Sequence, residues 1–491
     1  MSGNPISFNT IAVNIRTPGV FVEFDNTRAQ TGLAALPHRV LLVGQRLAGG
    51  SIAAGVLVKI TSAGQGAKYF GDGSMLDPMC DAFILNAPQV EVWAVALNDN
   101  GAGAFATGSF TLAGPATANG TLAAYFGGQI VQVGVTAGDT AATMATNTVA
   151  AIAATTDLPV SAVVDGVTAA KVNLTARHKG VCGNTIDVRF NMNDGDAFPA
   201  GVTAPITAMS GGTANPDINA AIAAIGDVQY TSVVNPYLDN ANLTALIAEL
   251  TSRWGGMSAD DGVAWSVGSG SYSAIDTVGS GLNTPFLIYQ GNQNSATLPW
   301  VQAAINAAID ESEPDPARPR QTLPMLGMLP PAVADRYTRT ERNQHLVDGV
   351  ATYLVDAGGV CRVERFSTTY KTNANGVPDD SYRDVETIRT LSAIRYTVRA
   401  RIAQKYPRHK LGEDGTIGPN VVTPSSLKNE MRALYKDWMT AGWVQGGQAQ
   451  KDFNANVNVQ IDATNKDQAN FLLPPELIKQ FRIAAGQVQF S

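Results

Sequence analysis

The sequence predicts a multidomain α/β protein of mixed α+β character, with one inserted α/β domain and an extended strand-bearing arm at each end. Three observations lead there. Two stretches, 36–97 and 215–358, alternate short runs of consecutive apolar residues with segments of helical apolar spacing, the texture of strands covered on both faces by helices. Between them, 98–214 changes composition: it holds 4 basic and 7 acidic residues and is dominated by Ala, Gly and Thr. At both ends a single short apolar stretch stands alone between turn or proline signals, and a lone strand must pair with another sheet to be stable. A chain of 491 residues can hold roughly two to four domains, with cores that need no staples.

Residues 1–35 form the N-terminal arm. Val20, Phe21, Val22 and Phe24 make one strand, after the turn-like Thr17-Pro18-Gly19 and before polar Asp25-Asn26-Thr27-Arg28. The central domain takes 36–97 plus 215–358. Its first part has a buried strand at 39–44, helical spacing over 75–85 and a nearly all-apolar strand, VEVWAVAL, at 90–97. Its second part alternates strands at 228–234, 263–267 and 285–290 with helices at 240–254, 298–311 and 339–356. The acidic, Pro-rich run from Glu311 to Pro316 ends the second of these helices and begins a loop. The inserted outer domain, 98–214, carries a strand at 128–134, a helix of small residues at 141–154 and strands at 168–175 and 184–190.

A C-terminal core domain, 359–470, is built on two helices. In the first, Ile388, Leu391, Ile394, Val398 and Ile402 share one face until Pro407 ends it. The second has Thr423 as N-cap, Pro424 at its first position and a stripe of Leu427, Met431, Leu434 and Trp438. Val457, Val459 and Ile461 then alternate with polar residues in a half-buried strand. The C-terminal arm, 471–491, carries Leu477, Ile478, Phe481, Ile483, Val488 and Phe490, the last four in two pairs at period two.

Only 15% of residues are charged, against about 25% in an ordinary soluble domain. So neutral a surface suits burial against other copies of the chain. A net charge of −7 argues against direct nucleic-acid binding, and 45% apolar residues argue against disorder. Cys80, Cys182 and Cys361 are widely spaced and odd in number, which reads as buried reduced thiols. No basic-then-apolar leader is evident and no window has eighteen consecutive apolar residues, so folding in a cytoplasm without membrane insertion is the expectation.

Catalytic motifs are not found. A phosphate loop needs Gly-Lys before Ser or Thr, and the sequence has no Gly-Lys dipeptide. Gly64-Gln65-Gly66 and Gly71-Asp72-Gly73 lack the third glycine of a dinucleotide loop and read as turns. His38, His178, His345 and His409 are each alone, with no HExxH, so no zinc site or other metal site is expected. His345 reads as part of a solvated helix face. Asn193-Asp194-Gly195-Asp196 lacks the bidentate glutamate of a calcium loop. Asp260-Asp261 and Asp379-Asp380 read as solvated or capping loop residues. The expectation is no catalytic residue and no cofactor. An α/β enzyme using the Gly-, Ser- and Asn-rich loops over 268–295 as a pocket is the alternative from another class.

One charge feature stands out. Between Thr387 and Lys410 lie Arg389, Arg395, Arg399, Arg401, Lys405, Arg408 and Lys410, with no acid among them. On a helical wheel Arg395/Arg399 and Arg401/Lys405 flank the apolar stripe. Two readings stand side by side: cations that favour the helix C-terminus and cover the core edge, or a basic surface for an acidic partner.

The stretch Arg16-Thr17-Pro18-Gly19-Val20-Phe21-Val22-Glu23-Phe24-Asp25-Asn26 resembles the opening of contractile-tail sheath proteins of the phage Mu type, and Leu36 to Gln45 continues it. Val363-Glu364-Arg365-Phe366-Ser367-Thr368-Thr369-Tyr370, then Asp380 to Thr387, resemble that family's C-terminal core, and Phe471-Leu472-Leu473-Pro474-Pro475 to Gln489-Phe490 its ending. These anchors span nearly the whole chain in order, and none is a catalytic motif. The resemblance implies a structural subunit that stacks in six-fold helical rings around a tail tube and contracts to drive the tube through the host envelope for genome delivery. It implies other sheath subunits, the tube protein, the baseplate and the tail terminator as partners, and assembly in the host cytoplasm into the virion tail. A related contractile injection device, such as a phage-like bacteriocin or secretion system, is the alternative within the class. By the same resemblance both arms lend strands to neighbouring subunits: Val20, Phe21, Val22 and Phe24 from the first, Leu477, Ile478, Phe481, Ile483, Val488 and Phe490 from the second. Arg395, Arg399, Arg401 and Lys405 become a candidate tube-facing surface.

Overall fold

The computed structural model describes residues 16–22 and 33–490. The chain divides into two compact units, one built on Pro37–Ala393 and one on Ile394–Ile478; residues 479–490 belong with the larger.

In the larger unit the chain opens with β1 (Arg39–Gln45), β2 (Leu57–Ile60), α1 (Gln65–Phe70), α2 (Leu76–Asn86) and β3 (Glu91–Leu97). It then builds β4 (Phe105–Thr111), β5 (Gly120–Phe126), β6 (Gln129–Val135), α3 (Ala141–Ala154), β7 (Val160–Val164), β8 (Lys171–Lys179), β9 (Val188–Phe190) and β10 (Ile206–Ser210). It returns through α4 (Asn219–Ile225), β11 (Ser232–Val234), α5 (Asn240–Trp254), β12 (Val263–Gly268), α6 (Tyr272–Gly281) and β13 (Leu287–Gly291). The unit's last elements are α7 (Pro299–Ser312), α8 (Arg339–Val347), β14 (Val350–Val355), β15 (Cys361–Arg365) and the start of α9 (Val385–Lys405).

Eight strands form one sheet in the order β15-β14-β13-β12-β11-β1-β3-β2. Every pairing from β3 to β14 is parallel, and the two edges are antiparallel. The strand residues explain this: Val40, Leu41, Leu42 and Val43 are all fully buried, as strands covered on both faces require. The segment between β3 and β11 makes two sheets of its own, β10-β4-β8-β7 and β6-β5-β9, with every pairing antiparallel. This segment, expected as α/β, is therefore α+β. At its centre Gly127 and Gly128 both have positive φ, 58° and 86°, the backbone of a two-residue hairpin turn that closes β5 directly on β6. Its helix lies where the spacing predicts, with Thr140 as N-cap accepting the Thr143 N–H.

Two other expectations differ from the structure. The helix expected over 339–356 stops at Val347, and β14 begins at Val350. Between them Gly349 has φ +76°, and a Cβ there would sit 2.9 Å from the Thr369 backbone. Only glycine turns the chain so sharply at that contact. Residues 359–393, grouped by the sequence with the C-terminal core, belong to the larger unit, because β15 pairs antiparallel with β14 at the sheet edge.

Helix α7 is buried on nearly every side and carries no charge until its last turn, where Asp310 and Glu311 have side chains wholly out of solvent. Two acids there face the negative end of the helix dipole and lose hydration as well, so they need buried cations. Arg389 supplies most of the charge. Its Nε and Nη2 donate to Asp310 Oδ2 at 2.8 and 2.6 Å, and Nη2 donates to Glu311 Oε1 at 2.6 Å. Arg320 Nε donates to Asp310 Oδ1 at 2.9 Å, Ser232 Oγ to Glu311 Oε1 at 2.6 Å, and His38 Nδ1 lies 2.5 Å from Glu311 Oε2. Burial pushes the Glu311 carboxyl up, but Arg389, then His38 and Ser232, outweigh it and hold the group at about 2. Arg389 is thus an internal counter-ion and no part of a surface stripe.

The smaller unit holds the rest of α9, then β16 (Lys410–Leu411), β17 (Val421–Val422), α10 (Pro424–Thr440), α11 (Gln448–Asn456), β18 (Asn458–Ile461) and β19 (Ala469–Leu472). Helix α10 starts as expected: Thr423 accepts the Ser426 N–H, and Pro424 occupies the first turn. Its Met431, Leu434, Tyr435 and Trp438 are buried, with Tyr435 stacked on Phe453 of α11 at 4.2 Å between ring centres. Trp438 Nε1 donates to Thr397 Oγ1 at 2.9 Å, which ties α10 to α9. No helix among the described residues is long and apolar enough to cross a membrane.

Replacing Arg389 by Met leaves Asp310 and Glu311 buried beside each other with too few cations. The variant should lose about 3–5 kcal/mol of stability in denaturant unfolding of the soluble subunit; a loss below about 1 kcal/mol would mean the pair is hydrated and the network is not a constraint.

Candidate functional site

The residues expected to reach neighbouring subunits fall into three groups. In the first, Val20, Phe21 and Val22 lie exposed and outside any strand. Phe24 lies outside the described residues.

The second group divides within the C-terminal segment. In the smaller unit Leu477 makes an antiparallel bridge to Val444, the Ile478 N–H donates to Trp443 O at 3.0 Å, and Leu477 packs against the Trp438 cluster. These two residues are held by their own subunit, because Pro474-Pro475 directs the chain along 443–445, where the Gln445 N–H also donates to Glu476 O. In the larger unit Gln321 Nε2 donates to Phe481 O at 3.2 Å. Arg482 Nη2 donates to Asp384 Oδ1 at 3.2 Å and Glu386 Oε2 at 2.9 Å. The side chains of Phe481, Ile483, Val488 and Phe490 are 75%, 83%, 90% and 96% exposed. One exposed apolar residue is ordinary, but four within ten positions, in a segment that among the described residues pairs with no strand, form an exposed apolar stretch.

The third group is the basic face of α9. Arg401 donates to Glu430 Oε1 and Asp437 Oδ2 at 2.7 Å each, and Lys405 Nζ to Glu430 Oε2 at 2.9 Å. Burial alone would raise the Glu430 carboxyl, yet its bonds from Lys405 and Arg401 hold it below the usual value. Half of the candidate tube-facing cations therefore clamp α9 to α10. Arg399 is exposed and Arg395 half-buried.

The sheet also has a place where an enzyme's pocket would be. Strand order reverses at β1, and in open α/β sheets ligands enter beyond the carboxyl ends of strands at such a point. Here the inserted segment binds those ends. Gln45 Nε2, at the end of β1, donates to Asp99 Oδ1 at 2.6 Å and Lys179 O at 2.8 Å, and Cys182 Sγ donates to Pro236 O. Two clefts near these ends measure about 270 and 210 Å³, and the loops over 268–295 supply only Ser269 to them. Among the described residues no three His, Cys, Asp or Glu side chains are placed to hold a metal ion. His345, expected on a solvated face, is buried and stacked on Tyr272 at 4.4 Å, with burial lowering its pKa; α8 turns this edge inward against α6 and β14.

Residues 211–369 match the phage tail sheath protein central domain, and residues 377–491 the phage tail sheath C-terminal domain. The Mu-like prophage FluMu tail sheath protein of Haemophilus influenzae is 40% identical over 490 residues, 99% of each chain. Among solved structures, the sheath tail protein Lin1278 of Listeria innocua has a TM-score of 0.51 at 13% identity, over 91% of this chain and 94% of that one. The sheath tail protein of Desulfitobacterium hafniense aligns at TM-score 0.49 and 14% identity, over 94% of this chain and 100% of that one. The matched family domains and the Haemophilus influenzae relative place the chain among structural proteins of phage tails. This chain belongs to the phage tail sheath protein family, and within it resembles the Mu-like type.

Glu430→Gln removes the acid that joins Arg401 to Lys405. A carboxyl held below its usual value stabilises the fold above about 4.5 and stops doing so as pH falls through its lowered native value. The variant should therefore be less stable than wild type by about 2–3 kcal/mol at pH 7, and the gap should close on acidification, read by thermal unfolding at several pH values. A gap independent of pH would assign the loss to packing.

Proposed function

We propose that this chain is the contractile subunit of a phage tail sheath, polymerising as stacked six-fold helical rings around the tail tube. Contraction of that polymer drives the tube through the host envelope. Its partners are other copies of itself, the tube protein, and the baseplate and tail terminator at the two ends. Assembly takes place in the host cytoplasm, and the product is part of the virion tail.

The observation that carries this reading is a donor and an acceptor on one chain. The donor is the apolar segment 483–490, with Val20 to Val22 as a second. The acceptor is the β18–β19 hairpin, which among the described residues pairs with no other strand and so has both edges open. The hairpin packs on α10 through Val459, and strand addition from neighbours would extend its sheet at an open edge. Burying Ile483, Val488 and Phe490 in another copy contributes roughly 5–9 kcal/mol before ordering losses. Head-to-tail contacts whose rotation does not close generate a helical polymer. Tethers of this kind can stay bound while the bodies they join repack between two states of similar energy.

Ending the chain at Arg482, or changing Phe490→Asp, should leave a folded subunit that forms no tubules in negative-stain electron microscopy, where wild type coexpressed with its tube protein does. Normal long tubules from the truncated chain would sink the donor role of 483–490. For the basic face, the double variant Arg395→Glu, Arg399→Glu should lower cosedimentation with tube while sheath-only polymers persist. Unchanged cosedimentation would leave α9 with a purely internal role.

A further inference from the structure

Between Ile478 and Ile483 the chain is attached through side chains. The backbone N–H groups of residues 479–490 donate to nothing among the described residues. Gln480 Nε2 reaches Ala317 O at 3.5 Å, and Gln321 Nε2 reaches Phe481 O at 3.2 Å. Both bonds are neutral. The one charged attachment is Arg482, whose side chain is 13% exposed and whose Nη2 donates to Asp384 and Glu386. Beyond it every residue to Phe490 is exposed.

This contact is built to be left. A buried guanidinium has five N–H groups to satisfy, and here Nε and Nη1 have no partner among the described residues. The acids keep other partners when it leaves. Asp384 takes two bonds from Arg365, at 2.7 and 3.0 Å; Glu386, whose burial is offset first by Arg482 and then by Arg320, still accepts the Arg320 N–H at 3.2 Å. Removing an arginine from a buried pair is normally severe because it strands the acid. That penalty is reduced here because the remaining partners stay, while the released guanidinium regains water on all five donors.

We propose that Arg482 is a releasable clamp that sets the length of the segment a subunit hands to a second copy of this chain: residues 483–490 while it holds Asp384 and Glu386, and residues 479–490 once it lets go. The proposal rests on the reading of the C-terminal segment as a donor. The clamped segment of eight residues spans roughly 26–29 Å fully extended. Release pays out four more, adding roughly 13–14 Å, before the hold of Ile478 on Trp443 takes the load. A tether of two lengths lets neighbouring bodies separate or slide without breaking the apolar contact at its tip.

The test is limited trypsin cleavage after Lys479 in the full-length soluble subunit, followed by mass spectrometry. Cleavage there needs residues around 479–482 to leave the body. Arg482→Gln, and independently Asp384→Asn with the tail sequence intact, should speed this cut by about tenfold, with cleavage at sites before residue 479 unchanged. Arg482→Lys should restore slow cleavage. Wild-type rates in both Arg482→Gln and Asp384→Asn would overturn the clamp, as would acceleration undiminished in Arg482→Lys. The outcomes separate the two claims. Tubules from a chain ending at Arg482 overturn the donor reading whatever the cleavage rates, whereas lost tubules with unchanged cleavage overturn the clamp alone.

Discussion

Two acids at the wrong end of a buried helix constrain much of the larger unit. Asp310 and Glu311 finish α7, the helix packed under the central sheet, and neither dipole nor solvent favours them there. Their partners come from three separate places: the cations Arg389 on α9 and Arg320 in the loop after α7, and the imidazole of His38 just before β1. Arg320 passes the linkage on through its own N–H to Glu386, and Glu386 and Asp384 hold Arg482. Replaced wholesale by apolar side chains, such a network would cost little; broken at one member, it leaves a buried charge exposed to nothing. Its effect is therefore on specificity: the start of the sheet, the helix beneath it and the start of α9 can meet in one way only.

The inserted domain explains why an α/β sheet with a proper switch point belongs to a structural protein. Its antiparallel sheets rise from the carboxyl side of β3 and return before β11, so they sit over the ends of the strands that flank the reversal. Gln45, in the position where an enzyme would keep a ligand-binding side chain, spends its amide on Asp99 and Lys179. Asp99 in turn accepts from the Lys179 N–H and lies 3.2 Å from His178 Nδ1, and its carboxyl is held below the usual value although burial opposes this. The Gln45 amide nitrogen and the Asp99 carboxylate are thus taken up by the chain itself, while Gln45 Oε1 and the Tyr237 hydroxyl have no partner among the described residues.

Much of this was legible in the sequence, and the parts that were not share a cause. The parallel strands, α3, α5 and α10 follow from local signals: apolar runs, a helix of small residues, a Thr-Pro start. Expectations failed where side chains meet across large sequence distances. Arg389 reads as one of seven cations in a basic run, and nothing local reveals partners 78 and 79 residues away. The available hint lay in α7, where a helix without charge ends in two adjacent acids with no basic residue of its own. His345 failed likewise, since its polar neighbours hide a face covered by Tyr272 and Tyr337. The end of α8 turned on a contact between Gly349 and Thr369 that periodicity cannot see. For the terminal segment, alternation marked the apolar residues correctly but could not locate the border between what the subunit keeps and what it offers.

That border lies between neighbouring residues of like character. Leu477 and Ile478 are as apolar as Ile483 and Val488, yet the first pair is bound within the smaller unit and the second pair is exposed. The difference comes from what stands between them. Lys479, Gln480 and Arg482 are polar, and the charged contact of Arg482 ends the attached stretch. An apolar segment left wholly free would collapse onto its own body or aggregate; one wholly bound would have nothing to give. A charged anchor followed by an apolar tip resolves the conflict, because the two ends answer to different physics. The anchor is held by geometry and charge within the subunit, while the exposed tip gains only by burial, which the proposed donor role would supply in another copy.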